Sequence, residues 1–133
     1  MIQLVYPIER YAGEAGRYQK IPSTNEVITS NRMNRYAGNA LKRKVQTRLC
    51  MCFSEQTKAK IEGHVNLKVR FYEPDKRRDE DNVIAGLKFI QDALVCMKVL
   101  KDDSQKYVHV LPEVFVDTKN PRIEVDIEET END

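Results

Sequence analysis

A chain of 133 residues can bury one continuous hydrophobic core but not two, so a single domain over residues 1–133 is expected. With 41% hydrophobic and 32% charged residues, no apolar run of membrane-spanning length and no basic-then-apolar amino terminus, the chain reads as a cytoplasmic protein without a membrane span or secretory leader. The net charge of +1 hides a division: residues 1–78 carry 16 Lys/Arg against 7 Asp/Glu, a balance of +9, and residues 79–133 carry 6 against 14, a balance of −8. Such halves suit a protein that holds a polyanion while gathering carboxylates for a metal, and equally suit two halves that neutralise each other.

In chain order, residues 2–8 alternate weakly and predict a strand, and residues 9–20, rich in charge and glycine, predict a loop. Ser23 or Thr24 then offers a helix N-cap, with Glu26 three residues after Ser23 as capping-box partner. The helical pattern runs over 25–60 with an interruption near Gly38. Leu41, Val45, Leu49 and Cys52 form its apolar face, and Lys42, Arg43, Lys44 and Arg48 a basic one. Residues 64–72 are the clearest strand, with Val65, Leu67, Val69 and Phe71 on one side. Proline and charge at 73–78 break it into an exposed loop.

A helix over 82–97 follows, striped by Val83, Leu87, Ile90, Leu94 and Met97. Two more strands are expected over 107–116 and 122–127, joined by a turn at 118–121, and the acidic residues 128–133 are expected to fray. Cys50, Cys52 and Cys96 lack a second close pair for a zinc site and read as buried free thiols. His64 and His109 each stand alone in strand-like segments, which favours packing or surface roles. The pattern thus comprises four strand-like segments and two main helices.

Acidic residues fall at informative places. Asp79 and Asp81 lie between the 64–72 strand and the next helix, and Asp102 and Asp103 lie between that helix and the following strand. If those strands are neighbours in one sheet, both pairs are expected to reach one rim. Crowded carboxylates repel and raise one another's pKa unless a cation neutralises them, and all-oxygen ligation suits Mg2+ or Mn2+ rather than zinc. Such an ion polarises a phosphoryl oxygen and lowers the pKa of bound water, as phosphodiester hydrolysis requires. Lys76, Arg77 and Arg78 can hold the DNA backbone beside it. Spacing alone is equally met by a helix N-cap at Asp79 or Asp81 and a polar turn at Asp102-Asp103.

Counting ~100° per residue, Asp81, Lys88 and Asp92 fall on the helix face opposite the apolar stripe. A lysine there can stabilise charge developing on a phosphate, or simply form a surface i,i+4 pair with Asp92.

At these positions the sequence resembles the RusA family of Holliday junction resolvases. The matching core is Arg77-Arg78-Asp79-Glu80-Asp81-Asn82, Lys88, Asp92-Ala93-Leu94, and Val99-Leu100-Lys101-Asp102-Asp103-Ser104-Gln105. Pro22-Ser23-Thr24-Asn25-Glu26, Arg35-Tyr36-Ala37-Gly38 and Pro121-Arg122-Ile123-Glu124-Val125 extend the similarity over roughly 21–127.

The resemblance implies essential carboxylates at Asp79, Asp81 and Asp103, an accessory Asp102, and a supporting lysine at Lys88. It also implies an α/β (α+β) fold with a small mixed sheet of about four strands flanked by two main helices, a homodimer, Mg2+ as cofactor with Mn2+ substituting and no organic cofactor, and paired symmetric cuts in a four-way DNA junction. Arg32, Arg35, Lys42 and Arg43 join Lys76, Arg77 and Arg78 as candidates for DNA contact. A nuclease for other branched DNA, or a binding protein that kept the fold without the chemistry, are the alternatives. Two departures stand out. The lysine expected four residues after the second aspartate is replaced by Ala85 and found at Lys88, and the glycine usual before the Asp-Asp pair is absent, with Cys96-Met97-Lys98 in its place.

Overall fold

The computed structural model describes residues 1–8 and 35–130, with side chains from 39 onward in the second segment. The Ser23/Thr24 cap, the Glu26 capping-box partner and Arg32 therefore lie outside the described residues, as does the side chain of Arg35. The elements are β1 (Ile2–Pro7), α1 (Arg35–Ser54), β2 (Val65–Glu73), α2 (Glu80–Ile84), α3 (Leu87–Cys96), β3 (Val108–Val116) and β4 (Arg122–Glu129).

The strands form one mixed four-stranded sheet in the order β1-β4-β2-β3. β4 pairs antiparallel with both β1 and β2, while β2 and β3 are parallel, with Val65 opposite Val108 and Glu73 opposite Val116. Parallel neighbours need a crossover, which α2 and α3 supply. β3 and β4, expected as consecutive strands about a turn, flank β2 rather than each other. β3 is thus an edge strand, and Pro112 in its middle is tolerated because an edge has an unpaired side.

Alternation decides which face is covered. Val65, Leu67, Val69 and Phe71 of β2 join Leu4, Tyr6, Ile123, Val125 and Ile127 in the core. Val45, Leu49 and Phe53 of α1 and Ile90, Ala93 and Leu94 of α3 complete it, so both main helices share one face of the sheet. The opposite face carries an ionic lattice. Arg70 binds Glu124 (3.0 Å) and Asp126 (2.7 Å), Arg122 binds Glu124 and Asp117 (both 2.8 Å), and Lys68 binds Glu113 (3.2 Å). The Arg122 guanidinium also lies 3.9 Å from the centre of the Tyr72 ring, which stacks on Phe115.

Several expected boundaries shift. α1 runs through Gly38 without interruption and ends at Ser54, short of residue 60. The helix expected over 82–97 is two helices, starting at Glu80 and breaking at Ala85-Gly86. The apolar stripe continues across that break with Val83 and Ile90 both buried, so periodicity gives no sign of it. The ~100° count from Asp81 to Lys88 does not survive the break, although Lys88 and Asp92 sit on one helix as expected. β4 extends to Glu129, and Thr130 N–H donates to the His64 carbonyl at 3.0 Å, so fraying does not begin at 128. The three thiols are free, but Cys96 is exposed and Cys50 and Cys52 only half-buried.

α3 ends where a glycine was expected. Lys98 has φ 63°, the left-handed backbone that glycine adopts most readily, and donates its N–H to Val95 O at 2.9 Å while Val99 N–H reaches Leu94 O at 3.0 Å. Those two bonds make a Schellman stop, sealed by the buried pair Leu94 and Val99.

Candidate active site

β2 ends on Glu73, a carboxylate only 5% exposed, which would be strongly unfavourable without a partner. Arg78 supplies one, with Nε 2.9 Å and Nη2 2.8 Å from Glu73 Oε1. The Glu73 carbonyl accepts from Asp117 N–H at 2.8 Å, and Thr118 Oγ1 donates to Pro74 O at 3.0 Å. The 74–79 loop is thereby pinned at both ends. Of the three basic residues expected to meet DNA there, Lys76 and Arg77 are exposed, whereas Arg78 is largely buried against Glu73. Lys42 and Arg43 are exposed on α1.

Asp79 occupies the N-cap of α2 in extended geometry, φ −64° and ψ 150°, yet its side chain makes no capping hydrogen bond. Asp81 Oδ1 accepts the N–H of Asn82 at 3.0 Å. Both carboxylates are exposed. Capping therefore does not account for Asp79.

The second group forms around Lys88, near the start of α3. Its Nζ lies 2.7 Å from Asp103 Oδ2 and 3.0 Å from Asp92 Oδ1. Asp102 Oδ1 accepts the Asp103 N–H at 2.8 Å, which fixes the turn that presents Asp103. The hydrogen bond from Lys88 holds the Asp103 carboxyl below the usual carboxylate range, and the same bond, followed by that to Asp92, raises the Lys88 ammonium. Both stay charged at neutral pH. The lysine displaced along the sequence thus still reaches Asp103.

The two groups do not share one rim. The strands on either side of the crossover are neighbours, as that expectation required, but they are parallel, so the segment leaving β2 and the segment approaching β3 lie at opposite ends of the sheet. Asp79 lines a cavity with Val114, Phe115 and Val116 at the far end of β3, and Asp103 one with Val108, His109 and Val110 at its beginning. At ~3.3 Å per residue, Val110 and Val114 are about 13 Å apart. Among the described residues, no three His, Cys, Asp or Glu side chains are gathered closely enough to hold a metal ion. The donor chemistry suits a hard cation, but a single chain holds Asp79 and Asp103 in separate cavities.

A family model, Endodeoxyribonuclease RusA, matches residues 17–128. The chain belongs to the RusA family. Membership makes it an endonuclease of the Holliday junction resolvase class, acting on branched DNA in recombination. The RusA match takes in Asp79, Asp81, Lys88, Asp102 and Asp103, and both histidines. No curated protein matches the chain. Among the described residues, no helix is long and apolar enough to cross a membrane.

Two features near these residues escape the sequence reading. Glu73 continues the buried phase of Val65, Leu67, Val69 and Phe71, but its charge and the proline after it mask that signal. His64 and His109 are isolated in sequence, but the parallel register sets His109 opposite Asn66, two residues after His64, and both histidines line the Asp103 cavity.

Proposed function

We infer that the protein resolves four-way DNA junctions by paired, symmetric phosphodiester hydrolysis, acting as a homodimer that requires Mg2+ and accepts Mn2+. The contact between Lys88 and Asp103, 15 residues apart and inside the segment matched by the RusA model, carries this reading. Asp79, uncapped and exposed beside Lys76 and Arg77, supports it, since a protein that only binds DNA gains nothing from bare carboxylates near phosphates.

The residues divide the work by chemistry. Asp79, Asp81 and Asp103 are the carboxylates suited to the metal, and Asp102 orients the Asp103 main chain. A bound divalent ion supplies polarisation of the phosphoryl oxygen and acidification of water. Lys88, held charged by two carboxylates, offsets negative charge growing on the phosphate. Lys42, Arg43, Lys76 and Arg77 neutralise backbone phosphates, with Arg32 and Arg35 as further candidates on the basic half. Because one chain holds Asp79 and Asp103 at opposite ends of β3, a centre using both requires the second copy, which favours the homodimer.

The test is direct. The purified protein is incubated with a synthetic mobile four-way junction with and without Mg2+, and the nicks are mapped on all strands. Paired nicks in opposing strands, seen only with the metal, are expected. Failure to cut any branched DNA with either Mg2+ or Mn2+ would overturn the reading.

A further inference from the structure

Both histidines of the chain, His64 just before β2 and His109 on β3, line the cavity that contains Asp103, together with Asn66, Gln105, Val108 and Val110. Its volume, about 690 Å³, falls in the range of small-ligand sites. His64 is oriented by a 2.7 Å hydrogen bond between Nδ1 and Thr130 Oγ1, leaving Nε2 available. Among the described residues the side chains of Asn66, Gln105 and His109 have no hydrogen-bond partner, whereas the charged residues farther along the same sheet face are committed to ion pairs.

The composition of this lining selects its ligand. Among the described residues no lysine or arginine lines the cavity, and its one carboxylate, Asp103, is already paired with Lys88, so the lining offers a ligand hydrogen-bonding edges rather than charge. The two histidines and Asp103 do not gather as a metal site either. The two side-chain amides and two imidazoles instead match a flat, uncharged group with hydrogen-bonding edges. A nucleobase has that chemistry, and amides are the side chains that pair with base edges in both directions.

We propose that this cavity receives a base of the DNA strand beside the cut, with Asn66, Gln105 and His109 reading its edge and so setting a sequence preference for cleavage. The inference rests on the nuclease reading, because the base is brought there by the phosphate cut near Asp103. A base unstacked at the branch point enters at little cost, since its partner is already strained or lost.

Two measurements test it with the full-length protein. In the first, a pool of four-way junctions with randomised crossover sequence is cut with Mg2+ and the cut sites are sequenced, for the unaltered protein and for His109→Ala and Asn66→Ala/Gln105→Ala. A marked preference in the unaltered protein, flattened roughly tenfold in the variants, is the expected result. Cutting without preference, or variants that keep the same preference, overturns the proposal. If the unaltered protein cuts nothing, the nuclease reading falls first. The second measurement needs no cleavage: 2-aminopurine placed at each position flanking the crossover should brighten on binding in metal-free buffer, and brighten less with His109→Ala. No brightening at any position overturns base capture even for a protein that cuts.

Discussion

Lys88 Nζ sits 2.7 Å from the carboxylate of Asp103 and 3.0 Å from that of Asp92, so one ammonium joins the crossover helix to the turn that begins the next strand. The lysine is well exposed, and its ion pairs add little to stability. Lys88→Ala should therefore leave thermal unfolding nearly unchanged while lowering the rate of junction cleavage by roughly a hundredfold, the scale of losing one electrostatic contact to a transition state. Single-turnover rates and gel-shift binding on the same junction separate the two effects. A variant that cuts normally would remove Lys88 from the chemistry.

The separation of Asp79 from Asp103 makes a prediction about mixed dimers. Asp79→Asn and Asp103→Asn should each bind junctions and fail to cut. If each centre draws Asp79 from one chain and Asp103 from the other, a dimer containing one of each variant keeps one intact centre. Mixing the two proteins should then restore single nicks without paired ones. Continued inactivity in verified heterodimers would show that each chain builds its own centre.

Arg78 and Arg77 are neighbours in sequence with opposite roles. Arg78→Ala strands the buried Glu73 carboxylate and should cost about 3 kcal/mol of folding stability, partly recovered by adding Glu73→Gln. Arg77, 89% exposed, should change stability by less than about 0.5 kcal/mol when replaced by alanine. The same replacement should weaken junction binding and reduce the salt slope by about one. Urea denaturation and salt-dependent binding of the two variants check both statements.

Lys98 offers a stabilising change. A non-glycine residue in left-handed geometry carries strain, so Lys98→Gly should raise stability by about 1 kcal/mol, less what glycine gains in the unfolded chain. A rise in the urea midpoint at unchanged slope is the expected outcome. A fall would mean that the lysine side chain contributes more than its backbone costs.

Acid should act on the ionic lattice of the open sheet face. Arg122 and then Arg70 hold the Glu124 carboxyl below its ordinary range. A depressed folded value means the stabilisation is present above the unfolded pKa, about 4.3 for glutamate, and is lost as pH falls through the folded one. Glu124→Gln should lower stability near pH 7 and flatten its decline below about pH 4. Denaturant midpoints measured from pH 7 to 2 test this, and parallel curves for the two proteins would refute it.

How far the sequence reading reached depends on which interactions decide each feature. β2 was legible because Val65, Leu67, Val69 and Phe71 alternate without exception and are all buried. The family was legible because the Asp79, Asp81, Lys88 and Asp103 pattern is local and ordered. The break at Ala85-Gly86 was not, since Val83 and Ile90 serve the same core on both sides of it. A shared rim for the two acidic pairs, expected on the condition that the strands are neighbours, fails for a topological reason: the strands are neighbours but parallel, which puts a departing and an arriving loop at opposite ends. β4 outlasted its apolar alternation because main-chain pairing carries it through Val65 opposite Glu129. The two histidines met only through strand register, which no local pattern reports.

The distance between Asp79 and Asp103 along β3 bears on safety as well as chemistry. An isolated protomer of the proposed enzyme, newly made and at low concentration, would carry two halves of different scissors and threaten no chromosome. Its nuclease strength would grow steeply with abundance, because only encounter between protomers would bring matching blades together.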